Sequence, residues 1–176
     1  MRPTFAGALV LLMTALSPAL QAVNLPGRVL RVIDGDTLIL DVGGGQYRVE
    51  IAGIDAPELN QPWGEVASST LARRLTGTFV VVDAAEIDGY RVRGGLQVQN
   101  RDIALDLLYA GLAWSTVQYE PPLSQLSDQE RLAHPYVRAE TEARIDRRGV
   151  WSDPQPVPPW IWRLWGGMPP AQQPQQ

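Results

Sequence analysis

Arg28-Val29-Leu30-Arg31-Val32-Ile33-Asp34-Gly35-Asp36-Thr37-Leu38-Ile39-Leu40-Asp41 reads as a strand, a turn and a returning strand. Apolar and polar residues alternate on both arms, and Asp34-Gly35-Asp36 supplies the turn. Working outward, Gly43-Gly44-Gly45 is a second turn, and Gln46 to Ala52 alternates again. That run ends in a second acidic cluster, Gly53-Ile54-Asp55-Ala56-Pro57-Glu58. Asp36 and Asp55 lie 19 residues apart, each at the end of a β-like run. Calcium takes about six to eight oxygen ligands, and acids gathered from separate turns can supply them. A metal held this way can bind a phosphate and activate a water beside it. Phosphoester chemistry is therefore the first expectation.

Composition narrows the field. The 176-residue chain is long enough for one domain with a real core. Cysteine is absent and His134 is the one histidine, so thiolate and imidazole metal sites are excluded and a bound metal must take oxygen ligands. All fifteen basic residues are arginine, yet the net charge is −4. An acidic chain lacks the general attraction behind nonspecific nucleic-acid binding, so a polyanion would need a local arginine patch or the metal. Residues 1–22 read as a signal peptide, with Arg2, an apolar stretch from Phe5 to Leu16, and small residues at Ser17, Ala19 and Ala22. Cleavage after Ala19 or Ala22 would send a monomer to the periplasm or outside the cell, with no stable membrane association.

Further along, the period changes. Glu65 to Leu75 places Val66, Ala67, Leu71 and Leu75 on one helical face, stopped by Gly77. Thr78 to Asp83 and Gly95 to Gln99 read as two more strands, and Asp102 to Ala110 as a short helix. Ser127-Asp128-Gln129-Glu130 has the capping-box form, so a helical turn begins at Asp128. Pro135 suits a first helical position, which makes His134 a cap and Tyr136 to Arg147 the last main helix. The sum is mainly β with α: a five-stranded, antiparallel Greek-key barrel of the OB type with about three helices, over residues 23–152. Residues 153–176 form a tail rich in proline, tryptophan and glutamine, disordered from Met168 onward. Trp160, Trp162 and Trp165 are expected to dock that tail on the barrel rather than stack on bases.

The two acidic motifs, in this order and spacing, resemble the thermonuclease (staphylococcal nuclease-like) family. The likeness runs from about Arg28 to Trp151, and Pro158-Pro159-Trp160-Ile161-Trp162-Arg163 is similar to exported bacterial members. It implies an OB barrel and calcium-dependent hydrolysis of DNA and RNA, leaving 3′-phosphates. By position, Asp36 and Asp55 would be metal carboxylates, the Ala56 carbonyl a third ligand, and Asp34 a support behind them. Glu58 would be the general base, a role worth about 10²–10⁴ in rate. Tyr90 and Tyr119 would contact a nucleotide. Two arginines usually complete the family's site, and here Glu50 stands where the first is expected. Arg48, two residues earlier, shares that strand face and could compensate. For the second, ungapped counting from Arg101-Asp102-Ile103 favours Arg91, whereas an arginine followed by glycine favours Arg93. An anion in place of a phosphate-facing cation weakens catalysis more than metal binding. The alternative is therefore a non-catalytic OB module binding nucleic acid or a protein partner, or a domain whose calcium only stabilises it.

Overall fold

Alternation at period two builds the barrel wall, because one face of each strand must leave water. The computed structural model describes residues 23–119 and 125–169. The signal-like residues 1–22 and the final residues 170–176, where most of the expected disorder falls, lie outside the described residues. The strands are β1 (Val23–Val32), β2 (Thr37–Val42), β3 (Gly45–Ile51), β4 (Ile54–Asp55), β5 (Phe79–Asp88), β6 (Arg91–Val98), β7 (Arg101–Asp102) and β8 (Trp114–Ser115). The helices are α1 (Gly64–Leu75), α2 (Ile103–Tyr109), α3 (Asp128–Leu132), α4 (Pro135–Ile145) and α5 (Pro159–Leu164).

Strands β1, β2, β3, β6 and β5 pair in a closed ring. This is the expected five-stranded barrel with one correction. It closes through a parallel pair, β3 against β6, so the sheet is mixed rather than wholly antiparallel. Periodicity carries no strand direction, which is why the sequence pattern missed it. β5 and β6 are also longer than expected and run into one hairpin around Gly89. Gly94 and Gly95 do not interrupt β6, because β3 and β5 satisfy its backbone from both sides.

Val29, Leu38, Leu40, Val49, Ile51, Val80, Val82, Val92 and Leu96 fill the interior. The α1 face closes on it with Ala67, Leu71 and Leu75, all buried, whereas Val66, expected on the same face, is exposed because it lies about 100° round the helix from Ala67. Each such leucine stabilises the fold by about 1.5–3 kcal/mol. The Asp128 helical turn carries the full capping box from Ser127 and Glu130. His134 caps α4, its Nδ1 accepting from the Tyr136 N–H at 3.2 Å, with Pro135 at the first position.

Against this barrel lies a smaller cluster of Trp114, Ala143, Val150 and Trp151, with Trp63 and Trp160 packed on it. Arg144 stacks 3.9 Å from the Trp151 ring centre and donates to the buried Glu140 at 2.8 Å. The cluster gives the segment after Trp151 something to pack on. The three main expected helices and the expected Asp128 turn, α3, are joined by α5, which forms inside the tail. Among the described residues no helix is long and apolar enough to cross a membrane.

Candidate active site

The Asp34–Asp36 turn is held by its own side chains. Asp34 Oδ1 accepts from the backbone N–H of Thr37 at 2.7 Å and of Asp36 at 3.2 Å, a local bond that short acids favour in turns. Asp36 then reaches across to the second motif: its Oδ2 accepts from the Ala56 N–H at 2.6 Å. Its Oδ1 accepts from the Thr37 hydroxyl at 3.1 Å. Gly35 makes this approach possible, since a Cβ there would lie 2.5 Å from Ala56 Cβ. Only the smallest residue lets the two acidic loops touch.

Burial pushes the Asp36 carboxyl up to about 8; the Ala56 N–H opposes the rise, and the nearby charges of Asp34 and Asp55 add to it. Without a cation beside it this carboxyl keeps its proton near neutral pH; a bound cation would favour the ionised form. The cavity in front of it, about 400 Å³, is lined by Asp34, Asp36, Glu50, Asp55 and Glu58, and by Arg48, Arg93 and Arg163. Its donors are all oxygen, the chemistry calcium takes. Among the described residues, however, no three acid or histidine side chains converge closely enough to enclose an ion unaided. A cation here would complete its shell with backbone carbonyl, water and phosphate oxygens.

Thr37, Glu50 and Arg93 sit opposite one another on β2, β3 and β6, forming one row across the cavity wall. Glu50 Oε1 stands 3.9 Å from Arg93 Nε. Arg48 and Arg91 form the next row. Arg48 lines the acidic cavity and a neighbouring recess, whereas Arg91 lines that recess with Glu86 and Asp88. The arginine beside the acids is thus Arg93, not the Arg91 that ungapped counting favoured. The parallel register of β3 on β6 decides this, setting Glu50 opposite Arg93 and Arg48 opposite Arg91.

The two tyrosines lie elsewhere. Tyr90, 69 % exposed, packs on Tyr47 with ring centres 5.6 Å apart. Tyr119 meets Trp160 edge-on at 5.9 Å and borders a recess with Asp128, Arg131, Leu132 and Val137. Neither lines the acidic cavity.

Sequence reasoning missed Arg163, which enters the site from α5. Its Nη2 donates to Asp55 Oδ2 at 2.7 Å, and its Nη1 to Asp55 Oδ1 at 3.1 Å and Glu58 Oε1 at 2.7 Å. These bonds, with Asp55 first, raise the guanidinium pKa further and keep it charged. The loop after Glu58 anchors the tail. Trp162 Nε1 donates to Asn60 Oδ1 at 3.1 Å, and the buried Gln61 donates from Nε2 to the Val157 carbonyl at 2.6 Å. Gln61 also binds Glu58 twice, accepting its N–H at 3.2 Å and donating its own N–H to its carbonyl at 2.8 Å. The hint in the sequence was the Pro158-Pro159-Trp160-Ile161-Trp162-Arg163 stretch, whose tryptophans were expected to dock the tail on the barrel.

Trp63, held at φ 72°, and Gly64 close this loop at the start of α1. Any Cβ on Gly64 would overlap the Glu58 carbonyl oxygen. Gly64→Ala must therefore push the Glu58 backbone away. We expect a loss of about 1–3 kcal/mol in denaturant unfolding, the ordinary cost of overpacking. Any activity that depends on Glu58 falls with it.

A small five-stranded barrel with helices packed on it and an acid-and-arginine cavity on its wall is the architecture of an OB-type domain. The chain belongs to the family of staphylococcal nuclease homologues, whose model matches residues 48–153. It is 38 % identical over 168 residues to a protein named Protein ParB from Escherichia coli, covering 90 % of this chain and 88 % of that one. An uncharacterized endonuclease of Escherichia coli is 34 % identical, covering 80 % and 86 %. A micrococcal nuclease of Shigella flexneri is 35 % identical, covering 78 % and 79 %.

Proposed function

We propose that this chain is a calcium-dependent nuclease that hydrolyses phosphodiester bonds in DNA and RNA. The observation that carries this reading is the convergence of Asp36, Asp55, Ala56 and Glu58, from two separate turns, on one arginine-bordered cavity. Asp36, Asp55 and the Ala56 carbonyl would hold the ion. A bound calcium would supply Lewis-acid polarisation of the phosphate and a charge partner for the acids. Glu58 accepts a proton from the attacking water as its oxygen bonds to phosphorus. The bond to the leaving 5′ oxygen breaks, and that oxygen takes a proton from solvent, leaving a 3′-phosphate. Arg93, with Arg48 beside it, faces the charge that develops on the phosphate oxygens. Membership of a nuclease-named family and relatives named as nucleases support the reading. The signal-like residues 1–22 fit action in the periplasm or outside the cell, where calcium is plentiful.

Glu50 favours one second reading, a module that binds nucleic acid or a protein partner without cutting, because an anion on that row withholds the charge a transition-state arginine would supply. Cleavage of denatured DNA, measured in calcium and in excess chelator, separates the two. We expect cutting in calcium, none in chelator, and a higher melting temperature with calcium, as any ligand of the native state produces. A rate unchanged by chelator overturns the calcium dependence. A chain that binds the DNA without ever cutting it establishes the module.

A further inference from the structure

We propose that Arg163 is a positioning residue for this hydrolysis, delivered by the tail to orient Glu58 and Asp55 and to balance the acidic cavity. The inference rests on the nuclease reading above. It starts from charge. Five acids and three arginines line the cavity, a formal −2 that one divalent cation would neutralise. Without Arg163 the same cation leaves the lining negative, and a phosphodiester brings a further negative charge. Arg93 cannot make up the difference, because Glu50 Oε1 and Glu86 Oε1 each stand 3.9 Å from it.

Geometry then shows what the guanidinium does. Its fork grips both oxygens of Asp55, which fixes the plane of that carboxylate. A carboxylate has about four lone-pair sites, so Asp55 keeps the capacity to bind a cation as well. The same Nη1 holds Glu58 through Oε1, while Oε2 has no bond among the described residues. Glu58 is thereby oriented with one oxygen open for a proton. A base held this way loses little freedom on reaching the transition state.

The tail is also seated on the loop that carries Glu58. Asn60 and Gln61, in the loop that carries Glu58, bond to Trp162 and to the Val157 carbonyl. Asn60 Nδ2 additionally reaches the Gly167 carbonyl at 3.3 Å. Seating α5 and shaping the Glu58 loop are one structural event.

The test compares the parent with Arg163→Ala, Arg163→Lys, Glu50→Arg and the double variant Glu50→Arg/Arg163→Ala. Rates are read on denatured DNA in calcium, and tryptophan emission and melting temperature in chelator. Arg163→Ala is expected to lower kcat by about 10²–10³, the usual cost of a preorganised electrostatic group, with KM within about threefold. Arg163→Lys recovers only part, because a single ammonium cannot grip two carboxylates as a fork does. In the double variant, the arginine on the Arg93 row returns positive charge without reseating any tail, and we expect kcat at least about tenfold above Arg163→Ala. Emission unchanged in Arg163→Ala shows that Trp162 and its Asn60 bond still hold α5. The inference is overturned if Arg163→Ala cuts as fast as the parent, or if its loss tracks altered emission and Glu50→Arg recovers nothing. A parent that never cuts overturns the nuclease reading and this inference together.

Discussion

Glu58→Gln lowers the calcium-dependent rate of DNA cleavage by about 10²–10⁴, the contribution expected of a positioned general base. The amide has the shape of the carboxylate, and its oxygen can still accept the Arg163 Nη1–H that Glu58 accepts at 2.7 Å. The Glu58 loop is held by backbone bonds to Gln61 that the substitution leaves intact. The folded state therefore survives while proton acceptance is lost. Single-turnover cleavage at saturating calcium measures the step directly, and melting temperature checks the fold. A variant cutting at the parent's rate would remove Glu58 from the mechanism.

The second large effect has the opposite sign for stability. Burial, with the charges of Asp34 and Asp55 added, holds the Asp36 carboxyl up at about 8, above its ordinary 3.8. A carboxyl whose pKa is higher folded than unfolded favours folding while protonated. Its contribution is complete below pH 3.8 and is lost progressively as the pH rises through about 8. Near neutral pH and without metal, Asp36 therefore opposes folding. Asp36→Asn removes that penalty and keeps an oxygen to accept the Ala56 N–H. In chelator we expect the variant to melt roughly 5–10 °C higher than the parent, with the gap widening up to about pH 8. In calcium the order narrows or reverses, because only the parent gains from binding the ion. Calorimetry at several pH values, with calcium and with chelator, checks both halves. A variant melting below the parent in chelator throughout would show that Asp36 carries no such burden.

Much of this architecture is written in short-range pattern. The Asp34-Gly35-Asp36 turn, the α1 face of Ala67, Leu71 and Leu75, the Ser127 capping box and the His134 cap each depend on neighbours within one or two turns of chain. Such features are decided by local hydrogen bonding and side-chain period. The parallel closure of β3 on β6 was not legible, because strand direction follows from the path of the intervening chain. Arg91 and Arg93 could not be ordered by counting, because the pairing of β6 with β3 that sets Arg93 level with Glu50 joins strands distant in sequence.

The chain's linear order settled which chemistry is available: oxygen ligands alone, arginine as the sole basic side chain, and two acidic turns close enough in sequence to share one hairpin system. Tertiary structure decided who meets whom. Arg163 lies 105 residues beyond Glu58 and 108 beyond Asp55, yet it binds both. That contact depends on tryptophan packing, on Asn60 and Gln61, and on the smaller core around Trp151. Packing of this kind acts through surfaces brought together by the whole fold, and no spacing rule along the chain encodes it.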